Sequence, residues 1–118
     1  MNQGKGIKVF NCLKRIHEFI KKKKCKQDWI IQKYLEKPLL YKGRKFDIRV
    51  WVLVTHNLEI YMYTQGYIRT SSNQYTLKDY DNFIHLTNNC LQVHGDGYGL
   101  HESGNTLSYE HIEEYFRE

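Results

Sequence analysis

Proline occurs once in these 118 residues, at Pro38, and no apolar run approaches the roughly eighteen residues needed to span a bilayer. Proline-rich linkers and membrane-crossing helices drop out of consideration. The start, Met1-Asn2-Gln3-Gly4-Lys5-Gly6, lacks the apolar stretch of a secretory leader. The three cysteines, Cys12, Cys25 and Cys90, are odd in number and far apart, which fits free thiols in a reducing compartment. A cytoplasmic protein is expected.

What is present argues for folded chain. The apolar content is 41%, and ten residues are tyrosine. Residues 1–118 read as one domain or part of one, long enough to bury roughly two-thirds of the unfolded surface. The net charge of +5 is unevenly spread. Residues 1–45 carry fourteen Lys and Arg and three acids; residues 46–118 carry four Lys and Arg and ten acids. A basic first third suits an acidic partner. Nucleic acid is not favoured, because the lysines crowd around Lys21 to Lys24 with no aromatic residues between them.

The strongest pattern runs from Lys45 to Thr55. Side chains alternate across a strand, so Phe46, Ile48, Val50, Val52 and Val54 form one apolar face, while Lys45, Asp47, Arg49 and Trp51 form the other. Charges in a basic, acidic, basic order on one strand face suit a polyanion better than a core. Around it the spacing predicts a short strand over Ile7 to Phe10 and a helix from a cap at Asn11 to about Lys23, with Leu13, Ile16 and Ile20 on a buried stripe. A strand is expected over Trp29 to Leu35, ended by Pro38, then a turn at Tyr41 to Arg44. His56-Asn57 predicts a hairpin, Tyr67 to Thr70 a returning strand, and Ser108 the cap of a final helix. The class is α+β, mainly an antiparallel sheet with flanking helices.

Several polar groups are candidates for one ligand. In Gly4-Lys5-Gly6, glycine lets backbone N–H groups approach a phosphate and Lys5 adds charge. Gln32-Lys33-Tyr34-Leu35 lies where the chain must turn, and Arg69 sits one hairpin from Arg49. His85-Leu86-Thr87-Asn88-Asn89-Cys90 supplies short polar side chains, which as an ordinary turn would need no function.

In this order, Gly4-Lys5-Gly6-Ile7, Gln32 to Leu40, Gly43 to Arg49, Tyr67-Ile68-Arg69 and His85 to Asn88 resemble the tubulin–tyrosine ligase family, which has the ATP-grasp fold. The resemblance covers nearly the whole chain and implies a partial ATP-grasp domain over residues 1–118. It implies a ligase: ATP phosphorylates a carboxylate, the amine of a free amino acid attacks the acyl phosphate, and phosphate leaves as the amide forms. By that resemblance Lys5 and Gly6 cover the phosphates, and Gln32, Lys33, Tyr34 and Leu35 hold adenine. Lys45, Phe46, Asp47, Thr87 and Asn88 contact ATP, while Arg49 and Arg69 are the catalytic candidates. The implied partner is the acidic tubulin C-terminal tail. The implied place is the microtubule cytoskeleton, the cilium included; neither nucleic acid nor membrane enters.

Two departures matter. Glutamate-adding members carry Tyr-Ser where this chain has Asn89-Cys90, and the short turn at His56-Asn57 is similar to the tyrosine-adding branch. Tyrosine is therefore the favoured amino acid, with glutamate or glycine addition as alternatives, as is a non-catalytic nucleotide- or tubulin-binding remnant. The family's Mg²⁺ ligands, a late Asp and a Glu-x-Asn pair, have no counterpart after Asn88. The expectation is a central piece of a longer enzyme, with no metal ligands of its own and not competent for ligation alone.

Overall fold

A computed structural model describes residues 6–22 and 28–117. Leu13–Lys22 form helix α1, whose carbonyl end carries Lys21 and Lys22, where the helix dipole favours cations. The chain then runs extended to strand β1, Leu40–Tyr41, and turns back into strand β2, Arg44–Arg49. Lys42 and Gly43 join them at φ 46° and 74°. Two successive left-handed residues are the hairpin turn that matches strand twist, and glycine takes the second at no steric cost.

Strands β3, Val52–Val54, and β4, Ile60–Met62, form a separate hairpin. Its turn is closed by the Thr55 hydroxyl, which accepts from the Glu59 backbone N–H at 3.1 Å, and by Leu58 at φ 63°. Strand β5, Tyr67–Gln74, returns antiparallel to β2. Two short helices follow, α2 over Asn82–His85 and α3 over Asn89–Gln92. A tight turn at Ser103–Asn105 leads into β6, Thr106–Leu107, and helix α4, Tyr109–Arg117, closes the described chain. The main sheet runs β1-β2-β5-β6, every pair antiparallel. The α+β class read from the sequence is the observed one.

Two bulges shape this frame. Arg49 faces Tyr67 while Val52 faces Met62, so Val50 and Trp51 are opposed by the four residues Tyr63 to Gly66. The ribbon bends there, and the long strand expected from Lys45 to Thr55 becomes β2 in one sheet and β3 in another. The second bulge lies between Arg44 and Phe46, which face Gln74 and Thr70. It explains why Thr70, Ser71 and Ser72 are all buried, so that the alternation running from Tyr67 to Thr70 is lost there.

The core is small and polar. Among the described residues Tyr41, Ile68 and Ile84 are the buried apolar side chains; Arg44, Thr70, Ser71, Ser72, His85, Thr87, Gln92 and Asn105 are buried with them. Gln92 Oε1 accepts from the Ser72 N–H at 2.9 Å and hydroxyl at 2.6 Å, and Asn105 Nδ2 donates to Thr70 O at 3.2 Å. The radius of gyration is 16.9 Å, against roughly 13–14 Å for a compact chain of this length. The expected burial of two-thirds of the surface is not reached. On the apolar face, α4 packs Tyr115 and Phe116 against Tyr41 and Phe46, while Ile48, Val50, Val52 and Val54 stay exposed.

Three further expectations are corrected. Ile7 to Phe10 and Trp29 to Leu35 are not strands, because no strand among the described residues pairs with either segment, and a strand needs a ladder partner for its backbone. The α1 stripe is only half covered: Leu13 is exposed, and the helix rests on its own flanks through Phe19, which meets Phe10 and Trp29 at 5.4 Å each. Its first residue is Leu13, with Cys12 O accepting from Ile16 N, so the cap falls one residue after Asn11.

The bend at Gly66 has a measurable consequence. A Cβ there would collide with Arg49 O and the Tyr109 hydroxyl, which itself donates to Arg49 O at 3.0 Å. Gly66→Ala is expected to destabilise the fold by about 1–3 kcal/mol, since a backbone atom cannot move aside. An unchanged denaturation curve would show that the ribbon tolerates a wider crossing.

Candidate functional site

β2 keeps the two faces read from the sequence. Register sets Arg69 directly across from Asp47, so the charged face gains a residue from β5. The two form a bidentate ion pair, with Arg69 Nε to Asp47 Oδ1 at 2.7 Å and Nη2 to Oδ2 at 2.8 Å. The Thr87 hydroxyl also donates to Asp47 Oδ2, and Thr87 is buried. Asp47 thus ties together β2, β5 and the segment after α2.

Lys45, two residues back on the same face, reaches the same segment. Its ammonium donates to His85 O at 2.9 Å and stands 4.8 Å from the centre of the Tyr34 ring. Burial pushes the Lys45 ammonium below the ordinary lysine range, with Asp47 pulling it partly back. Arg69 is moved the other way, its cation stabilised first by the hydrogen bond to Asp47. Two cations therefore share one carboxylate at a half-buried surface. An anion arriving there finds uncompensated positive charge already partly stripped of water.

The candidate residues divide. Tyr34, Lys45, Asp47, Arg69 and Thr87 are brought together. Phe46 points to the other face, against Phe116 at 6.2 Å between ring centres. Asn88 adjoins the cluster, its carbonyl capping α3 by accepting from Leu91 N at 2.9 Å and Gln92 N at 3.0 Å. Its side chain makes no capping hydrogen bond. Gln32, Lys33 and Leu35 lie exposed along the extended segment that Tyr34 anchors. Arg49 stays exposed, two residues beyond Asp47. Gly6 adopts φ 82°, a conformation that glycine takes freely. Lys5 lies outside the described residues.

These groups suit a nucleoside triphosphate: a buried-edge ammonium and guanidinium for phosphates, an extended backbone at Gln32 to Leu35 for a base edge, and the Asn88 amide. Magnesium is a different matter. No group of three or more His, Cys, Asp or Glu among the described residues is placed to hold a metal ion. Asp47 spends its lone pairs on Arg69 and Thr87. The described residues do not fit a magnesium site.

Sequence reasoning missed Arg44 and Glu102. They form a buried ion pair, Arg44 Nη1 donating to Glu102 Oε2 at 2.9 Å and to Ser71 O at 3.1 Å. Nothing local in the sequence joins a strand residue to the acid that precedes the Ser103–Asn105 turn. His85 was visible only as part of a motif; its ring is buried among Tyr34, Tyr75 and Tyr80.

The model of the Tubulin-tyrosine ligase family matches residues 1–118. Tubulin glycylase 3C of Tetrahymena thermophila is 46% identical over 94 residues, covering 77% of this chain and 9% of its own. Tubulin monoglycylase TTLL3 of Mus musculus is 42% identical over 101 residues, covering 79% and 11%. Tubulin glycylase 3D, also of Tetrahymena thermophila, is 39% identical over 125 residues, covering 100% and 12%. The chain spans about a tenth of the length of these relatives.

Proposed function

The chain belongs to the tubulin-tyrosine ligase family, and from that premise we propose that it is the ATP-handling part of a ligase that joins glycine to tubulin. The observation that carries the nucleotide assignment is the Lys45–Asp47–Arg69–Thr87 cluster on the charged face of β2. Lys45 and Arg69 hold phosphate oxygens, and the always-charged guanidinium of Arg69 steadies the charge that develops as phosphoryl transfers to a carboxylate. Thr87 orients Asp47, and Asn88 offers its amide to the nucleotide. The amine of the incoming amino acid then displaces phosphate and leaves an amide. Arg49, exposed two residues beyond Asp47, is assigned to the acceptor side of that transfer.

The amino acid is revised from the reading of Asn89-Cys90. The relatives named above are called tubulin glycylases, which supports glycine over tyrosine. The partner is tubulin and the place of action the cytoplasmic microtubule surface, both on the strength of those names.

The intact ligase of which this chain is the proposed ATP-handling part, incubated with tubulin, ATP and radiolabelled glycine, tyrosine or glutamate in separate reactions, decides this. Label from glycine is expected. Label from tyrosine alone would restore the tyrosine reading, and ATP binding without incorporation of any of the three would point to a non-catalytic nucleotide-binding role. Arg49→Ala should abolish incorporation while the protein stays folded; an undiminished rate would remove Arg49 from the mechanism.

A further inference from the structure

Tyr34 is the one residue of the Gln32 to Leu35 segment whose side chain turns back into the sheet, and it does so onto His85. Its hydroxyl lies 3.0 Å from His85 Nδ1, and the two rings meet edge to face at 5.3 Å. The other ring nitrogen, Nε2, lies 2.7 Å from Asp79 O. A backbone carbonyl can only accept, so Nε2 carries the proton. In the neutral ring Nδ1 is then bare and accepts from Tyr34, which donates. Burial first, and a hydrogen bond with Tyr75 second, push the Tyr34 phenol far above its ordinary range, so it remains a donor.

The same two residues hold Lys45. The carbonyl of His85 accepts from its ammonium at 2.9 Å, and the Tyr34 ring lies beneath that ammonium at 4.8 Å. A second tyrosine fastens the segment from its far side: Tyr75, whose ring packs on His85 at 5.6 Å, donates through its hydroxyl to Glu36 O at 2.8 Å. His85 is 1% exposed and Tyr34 only part-buried, so the rigid partner is the histidine and the positioned one is the segment.

We propose that Tyr34 and His85 form a positioning pair that couples the base-binding segment Gln32 to Leu35 to the phosphate-binding Lys45. The proposal rests on the nucleotide reading above and deepens it. Neither side chain touches the ligand. Tyr34 fixes where the extended backbone stands over the sheet, and His85, held by Asp79, fixes Tyr34 and the height of the Lys45 ammonium together. Base and phosphate contacts are then set by one hydrogen bond rather than independently.

Two measurements test it on the whole protein. The ¹⁵N shifts of the His85 imidazole, read without nucleotide, should show the proton on Nε2 and a bare Nδ1, with the Nδ1 signal moving in Tyr34→Phe. A proton on Nδ1 would overturn the pair whatever the ligand. ATP affinity is then measured by calorimetry for Tyr34→Phe, His85→Gln and the double variant. Glutamine can still donate to Asp79 O, but its acceptor, Oε1, lies one bond further out than Nδ1 and so off the line to the Tyr34 hydroxyl, and Tyr34→Phe removes a single hydroxyl. Each single change should weaken ATP about tenfold, and the double no further than either, because both break one link. Additive losses of about a hundredfold, or singles that bind ATP as the parent does, would overturn the proposal alone. A parent protein that binds no ATP would overturn the nucleotide reading itself, and with it this inference.

Discussion

Arg44→Ala should all but unfold this chain. The Arg44 and Glu102 side chains are 2% and 9% exposed, and Glu102 accepts from both guanidinium nitrogens and from the Thr70 hydroxyl at 3.0 Å. Removing the arginine leaves a buried carboxylate with one neutral donor, a loss of about 3–5 kcal/mol. Small domains hold only about 5–15 kcal/mol in total, and three buried apolar side chains among the described residues place this one low in that range. Urea denaturation followed by circular dichroism is the check. A double change, Arg44→Met with Glu102→Leu, should recover much of the loss, because it removes both charges at once. A midpoint for Arg44→Ala equal to that of the parent would show the ion pair to be dispensable.

Acid should reveal the same pair. Burial alone raises the Glu102 carboxyl, but hydrogen bonds from Arg44 and Thr70 outweigh it and hold the group below its ordinary value of 4.5. Its stabilisation is therefore full above that unfolded value and is lost as pH falls through the lower folded one. In Glu102→Gln this acid-side loss should shrink, leaving a flatter stability curve below pH 4.5.

The second large effect is expected at Asp47. Asp47→Ala releases Arg69 from its bidentate partner and leaves the buried Thr87 hydroxyl without its acceptor. The guanidinium then has many orientations in place of one. ATP affinity should fall about 10–100-fold, which corresponds to about 1.4–2.8 kcal/mol of lost phosphate binding. On the proposed function, glycine incorporation by the intact ligase should become undetectable. Asp47→Asn, which keeps the shape and one acceptor, should fall between parent and alanine in affinity. Calorimetry with ATP reads the first effect and the labelled-glycine assay the second. An Asp47→Ala protein that is folded and binds ATP at parental strength would remove the cluster from the nucleotide site.

How much of this was legible beforehand depends on range. The two faces of β2 follow from alternation, the Lys42-Gly43 turn from glycine, and α4 from Ser108 with Tyr109, Ile112 and Tyr115. Each is a property of neighbouring residues, and each could be read directly. Lys45, Asp47 and Arg49 share one face of β2 for the same reason.

Partners were not legible. That Arg69 faces Asp47, that Lys45 reaches His85 and that Thr87 reaches Asp47, the last two each across 40 residues, depends on register. Register in turn depends on bulges opposite Val50-Trp51 and within Ser71 to Asn73, which no local pattern announces. Trp29 to Leu35 looked like a strand because its composition is that of one, yet strand formation is decided by a neighbour's backbone, and none is there among the described residues. By itself the sequence determined which residues carry charge, on which face of which strand, and to which family they belong. Only the tertiary structure decided which of them meet, because ion pairs and buried hydrogen bonds are set by distances of about 3 Å, and one residue of slip along a strand moves every side chain to the other face.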